Sequence, residues 1–77
     1  MAKANQERIT ILRRKKVETR TGLSRSTIYL RIHEGTFPKP INLGPRAVGW
    51  VENEIDTWLE SRIKNRDRGK ELQRHEM

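Results

Sequence analysis

Between Thr21 and Tyr29 the chain reads Thr-Gly-Leu-Ser-Arg-Ser-Thr-Ile-Tyr. That order permits little besides a helix end, a tight turn and the start of a second helix. Gly22 can take the left-handed conformation that closes a helix at its C-terminal side. Ser24 suits an N-cap, because its hydroxyl can accept a bond from an otherwise unpaired backbone N–H. Leu23 and Ile28 have the spacing of a hydrophobic staple, which fixes the angle at which the chain enters the second helix. Arg25, Ser26 and Thr27 therefore fall on an exposed first helical turn. In a helix-turn-helix module, that turn holds the side chains that reach base edges.

Charge narrows the choice of partner. The 77 residues hold 17 Lys and Arg against 10 Asp and Glu, a net charge of +7. A small chain with this excess calls for a polyanion, and nucleic acid is the first candidate. A chain of this length makes one small domain with a thin core. The absence of cysteine excludes disulfides and thiolate metal sites and is compatible with a reducing compartment. No apolar run reaches the length of a membrane span or a signal-peptide core, so the expectation is a soluble, unsecreted chain.

Taken in order, residues 1–8 are polar and aperiodic and read as a flexible arm. Ile9 and Ile11 alternate as a short strand would. Arg13-Arg14-Lys15-Lys16 follows, and the first helix is expected from about Lys15 to Thr21 with Val17 as its core residue. Basic residues at a helix N-terminus oppose its dipole, so Lys15 and Lys16 are candidates for phosphate contact. The second helix is expected from about Arg25 to Glu34, stopping at Gly35. Ile28 and Ile32, four apart, face the core, while Leu30 falls on the outer face.

Phe37-Pro38-Lys39-Pro40 cannot be helical, because each proline forces its predecessor into extended geometry. A hairpin should follow, with Ile41-Asn42-Leu43 and Val48-Gly49-Trp50 as strands and Gly44-Pro45-Arg46-Ala47 as the turn. On this reading Ile41, Leu43, Val48 and Trp50 point inward, Arg46 sits at the tip and Lys39 near the base. A hairpin with arginine at its tip makes a wing suited to a narrow minor groove. Val51 to about Lys64 has the strongest helical period, with Ile55, Trp58, Leu59 and Ile63 on one face. Both tryptophans read as core residues. The acids at the start of this helix turn it away from DNA. Residues 65–77, mixed in charge, read as a frayed helical extension or disordered tail.

Four stretches together carry a family resemblance: Thr21 to Tyr29, Glu34-Gly35-Thr36-Phe37-Pro38-Lys39-Pro40, Leu43 to Trp50, and Glu54-Ile55-Asp56-Thr57-Trp58-Leu59. In this order the chain resembles the AlpA family of prophage and integrative-element regulators, over roughly Leu12 to Ile63. The resemblance implies a mainly α fold with a small β-hairpin wing, a winged helix-turn-helix of the MerR and excisionase kind, occupying residues 9–64. It also implies sequence-specific binding to double-stranded DNA in a bacterial cytoplasm, at the nucleoid. Members act as transcription regulators or as recombination directionality factors, with RNA polymerase or an integrase as protein partner. Arg14 and Glu18 depart from the family pattern, standing where apolar side chains are frequent. Leu30-Arg31 falls where members vary.

Under this reading, Arg25 contacts a guanine through its bidentate fork, with Ser26, Thr27 and Tyr29 as further base-contacting candidates. Lys39 and Arg46 serve the wing. Lys15, Lys16, Arg20 and Arg31 hold phosphates. So small a reading surface implies a monomer in solution that assembles cooperatively on DNA. No cofactor or metal is expected, since His33 and His75 lack partners at ligand or triad spacing, and no enzyme activity is expected. The alternative from another class is a protein-interaction module that binds a regulator through the same fold. RNA binding would call for exposed aromatics, and Tyr29 is the one candidate.

Overall fold

The computed structural model describes residues 8–73, so the seven residues of the expected arm before Arg8, and residues 74–77 of the expected tail with His75, lie outside it. Strand β1 (Ile11–Leu12) leads into helix α1 (Arg14–Thr21) and helix α2 (Arg25–Glu34). Strands β2 (Ile41–Gly44) and β3 (Ala47–Val51) form the hairpin, and helix α3 (Glu52–Gln73) completes the chain. The three strands make one antiparallel sheet in the order β1-β3-β2. The architecture is a helix pair set on a small winged sheet, as the sequence implied.

The turn between α1 and α2 is built as its residues require. Gly22 takes φ +77° and its N–H bonds to the Glu18 carbonyl at 2.8 Å, closing α1. Ser24 caps α2, its Oγ accepting from the Thr27 N–H at 3.2 Å. At the far end of α2, Gly35 takes φ +80° and its N–H reaches the Ile32 carbonyl, while the Thr36 N–H reaches that of Arg31 at 2.9 Å. This paired closure is a Schellman motif and aims the chain sharply back toward the core.

Leu12, Val17, Ile28, Phe37, Trp50 and Ile55 form the core, with Leu23, Ile32, Val48, Trp58 and Leu59 packed around it. Each element thus contributes at least one anchor except β2. Both tryptophans are structural. Trp50 is fully buried, donates its indole N–H to the Pro38 carbonyl at 3.0 Å and meets the Tyr29 ring edge-to-face at 6.3 Å. Trp58 donates to the Thr36 carbonyl at 2.7 Å and packs edge-to-face on Phe37. The proline segment is therefore held from two sides by indole N–H groups, which satisfy carbonyls that no ladder reaches.

Three core expectations are corrected. Ile41 and Leu43 do not point inward; they are 41% and 44% exposed. Ile41 pairs with Gly49 rather than lying level with Trp50. Cross-strand partners share a face and strand neighbours oppose one another, so this register sends Ile41 away from the Trp50 side. Leu43 follows it: a methyl group on Gly49 would lie 3.0 Å from Leu43 Cδ1 and would collide with Ile11 Cγ2. Gly49 is what lets these two side chains converge on the central strand.

Ile9 and Ile63 are exposed as well. The first strand is only Ile11–Leu12 and it is Leu12, opposite Trp50, that enters the core. Helix α3 begins at Glu52, whose N–H bonds to the Thr10 carbonyl at 2.8 Å, and continues past Lys64 to Gln73. Ile63 lies within the expected helix but beyond Leu59, the last of its residues packed against the core. No helix among the described residues is long and apolar enough to cross a membrane.

Candidate nucleic-acid interface

The first turn of α2 presents Arg25, exposed and without a hydrogen bond or ion pair to any described residue. Its neighbours are more engaged. The Thr27 Oγ1 accepts from the Ser24 hydroxyl at 2.9 Å, and Ser26 Oγ lies 3.3 Å from Ser24 Oγ. Thr27 is half-buried, so its hydroxyl belongs to the cap before it belongs to any ligand. Leu30 is exposed on the outer face, as the helical period predicts.

Away from this turn, an open cleft of about 440 Å³ is lined by Arg13, Arg14, Lys15, Tyr29, Arg46 and Val48. Three stretches far apart in sequence meet there: the start of α1, the middle of α2 and the tip of the hairpin. The hairpin is held in this position by the Arg13 side chain, whose Nε donates to the Val48 carbonyl at 3.0 Å. Tyr29 forms the floor between the cleft and the core, since its ring leans on Trp50. Helix α1 begins at Arg13 with no side-chain cap and no acidic residue in its first turn. Its end therefore carries unpaired N–H groups together with basic side chains, an environment that favours an anion.

Arg46 occupies its place at a conformational cost. Gly44 pairs with Ala47, leaving Pro45 and Arg46 as the turn, and Arg46 takes φ +60°. Proline fixes the first turn position, and the second then needs a positive φ that glycine adopts freely and arginine does not. A long basic side chain at a strained, exposed tip points to a role outside the fold.

The remaining sequence candidates separate. Lys15, Lys16 and Lys39 are exposed. Arg31 is half-buried, with its Nε buried and lacking a partner among the described groups. Arg20, expected to hold phosphate, is bound instead to carboxylates on α3, at 3.0 Å from Glu52 and 2.6 Å from Asp56. The hydrogen bond that Arg20 donates to Glu52, and then the charge of Asp56, hold its pKa above the ordinary arginine value. Arg20 thereby ties α1 to α3, and the acids on α3 act as its counterions. Arg14 and Glu18, the departures noted in the sequence, pair with each other at 2.6 Å one helical turn apart. That half-exposed pair is worth at most about 1 kcal/mol.

Arg13 was visible in the sequence only as part of a charge run, and Arg14 as part of that run and as a departure from the family pattern. That Arg13 braces the hairpin could not be read there, because the bond joins residues 35 positions apart. Among the described residues, no group of three or more His, Cys, Asp or Glu gathers to hold a metal ion.

A helix-turn-helix whose wing returns to the N-terminal end of its first helix, with uncovered basic side chains on both, defines a winged helix-turn-helix module with an anion-facing surface. The chain belongs to the AlpA family: the family model described as "Prophage CP4-57 regulatory protein (AlpA)" matches residues 10–63. A DNA-binding transcriptional activator, AlpA of Escherichia coli K12, is 42% identical over 66 residues, taking in 78% of this chain and 94% of that protein. An uncharacterized protein of Enterobacteria phage P4, ORF88, is 48% identical over 48 residues, covering 62% of this chain and 54% of its own length.

Proposed function

We propose that this protein is a sequence-specific DNA-binding regulator of a prophage or integrative element, with transcription control as its primary activity. The observation that carries the reading is the convergence of Arg13, Arg14, Lys15, Tyr29 and Arg46 on one open cleft, in a molecule that also displays Arg25 unpaired on a capped helix turn. The similarity to a relative named as a DNA-binding transcriptional activator supports the same reading. Helix α2 enters the major groove, where Arg25 pairs with a guanine and Ser26 and Tyr29 add contacts. Thr27 holds the cap and contributes little to the bases. Lys15, Lys16 and Lys39 track phosphates, with Arg31 a weaker contributor because of its burial. Arg46 enters the adjacent minor groove. RNA polymerase is the protein partner that transcription control requires. An integrase is the partner for element excision, and a promoter-reporter assay run beside an excision assay separates the two roles.

The test is a salt titration of binding to duplex DNA. Each phosphate neutralised contributes about −0.9 to the slope of log K against log salt, so a contact set of this size gives a slope of about −4 or steeper. A slope near zero would show that the basic surface does not meet DNA and would favour the protein-interaction module.

Arg46 offers a cleaner separation of fold from function. In Arg46→Gly, release of about 1 kcal/mol of backbone strain is offset by a similar gain in freedom of the unfolded chain. Thermal stability should therefore change by no more than about 1 kcal/mol, while affinity falls most on sites with A·T-rich flanks. Equal loss on G·C-rich flanks would remove Arg46 from the minor groove. Melting curves and binding isotherms on the two DNAs decide it.

A further inference from the structure

The outer face of the sheet carries an aliphatic cluster that the DNA-reading surface leaves unused. Ile11 stands opposite Val51 and Ile41 opposite Gly49, and cross-strand partners share a face. Leu43 and Ile11 close over Gly49 between them. Val48 and Trp50, their neighbours along β3, point the other way and join the core. Ile41 and Leu43 keep over two-fifths of their surface in solvent, and Ile9, which lines a depression with Val51, is 55% exposed. A small domain with little apolar material has thus left several of its aliphatic side chains partly in solvent on one face.

We propose that this face is the contact between copies of the chain bound at neighbouring sites on one DNA, so that occupancy of the first site strengthens occupancy of the second. The inference rests on the DNA-binding reading above. The patch is aliphatic at its centre and therefore complementary to itself. Its few side chains fall far short of the roughly 800 Å² per partner of a stable complex, and each copy carries a net charge of +7 that repels the next. Both facts oppose a dimer in free solution. DNA reverses both: phosphates neutralise the charge, and adjacent sites hold the second copy at an effective concentration of order millimolar. A weak, self-complementary contact between cations is useful in that setting, which is why a second copy, rather than a soluble partner, is assigned to the face.

The experiment uses the full chain and a site that it selects from a random duplex pool. Fragments of equal length carry one such site, or two sites centred about one helical turn (~10–11 bp) or two turns apart. The wild-type chain should fill the second site roughly tenfold more tightly than the first at one of these spacings. The double variant Ile41→Thr, Leu43→Thr places β-branched side chains, which suit a strand, at both positions of β2 and adds no charge. It should bind the single site within about twofold of wild type and show no cooperativity on the double site. Independent filling of both sites by wild type overturns the inference and leaves DNA binding intact. A variant that loses single-site affinity overturns it too, by placing the face on DNA. So does one that keeps cooperativity but loses activation with purified RNA polymerase, which would assign the face to the polymerase. Failure to select any duplex overturns the DNA-binding reading and the inference with it.

Discussion

Trp50→Ala is expected to lower the midpoint of thermal unfolding by roughly 15–30 °C. A Trp-to-Ala change in a core costs about 3–5 kcal/mol, and in a domain of this size each kcal/mol moves the midpoint by about 4–8 °C. The upper half of the cost applies here for identifiable reasons. Trp50 is the largest of the fully buried side chains, it carries the edge contact to Tyr29, and its indole N–H satisfies the Pro38 carbonyl. Total stability for a chain of 77 residues is about 4–12 kcal/mol, so this one residue can account for much of it. Trp50→Phe separates the contributions, restoring most of the area but not the bond to Pro38. Circular dichroism melts of the two variants read the result. A shift of only a few degrees in Trp50→Ala would mean that the sheet and helices do not depend on a shared centre.

The second large effect is on recognition rather than folding. Arg25→Ala should weaken binding to the preferred site by about 1–3 kcal/mol, roughly 5- to 150-fold, and relax the preference at one base pair. Its stability should stay within about 0.5 kcal/mol of wild type, because Arg25 is exposed and unpaired among the described residues. The comparison that decides is a pair of isotherms on the preferred site and on a site changed at the guanine. Equal loss on both would make Arg25 a phosphate contact with no part in reading sequence.

How much of this could be read from the sequence depends on the range over which each signal acts. The turn at Gly22, the cap at Ser24 and the stop at Gly35 are local. Each rests on the conformational freedom of one residue or on a hydroxyl three positions from its partner, and the bounds of α2 follow directly. The hairpin was legible for the same reason, from its turn residues. Its facing was not. Alternating apolar residues on β2 and β3 cannot say whether Ile41 lies level with Trp50 or with Gly49, and a shift of one residue exchanges the inner and outer faces. Ile63 was misplaced because helical period predicts which residues share a stripe, not where the body beneath the stripe ends.

The interface divides along the same line. Arg25 and Arg46 follow from local turn chemistry, since each sits at a position that such chemistry exposes. Arg20 could not be settled that way. Its neighbours in sequence, Thr19 and Thr21, give no hint of the carboxylates 32 and 36 residues onward that hold it. The cleft itself is a product of tertiary structure. Nothing local announces that Tyr29 and Arg46 share a wall with Lys15.

The cap of α2 has a consequence for how such a regulator can change its target. Ser24 and Thr27 lock the first turn through their own hydroxyls, and Leu23 and Ile28 secure it from the apolar side. Positions 25 and 26 stand between these fixtures; the Arg25 side chain makes no hydrogen bond to them, and Ser26 adds only a 3.3 Å contact to the Ser24 hydroxyl. If they read DNA as proposed, they behave as a replaceable typeface in a rigid press: the side chains there can be exchanged to suit a different operator while the frame that presents them stays in register. Under the proposed reading, retargeting is then a matter of a few exposed side chains, with the fold left untouched.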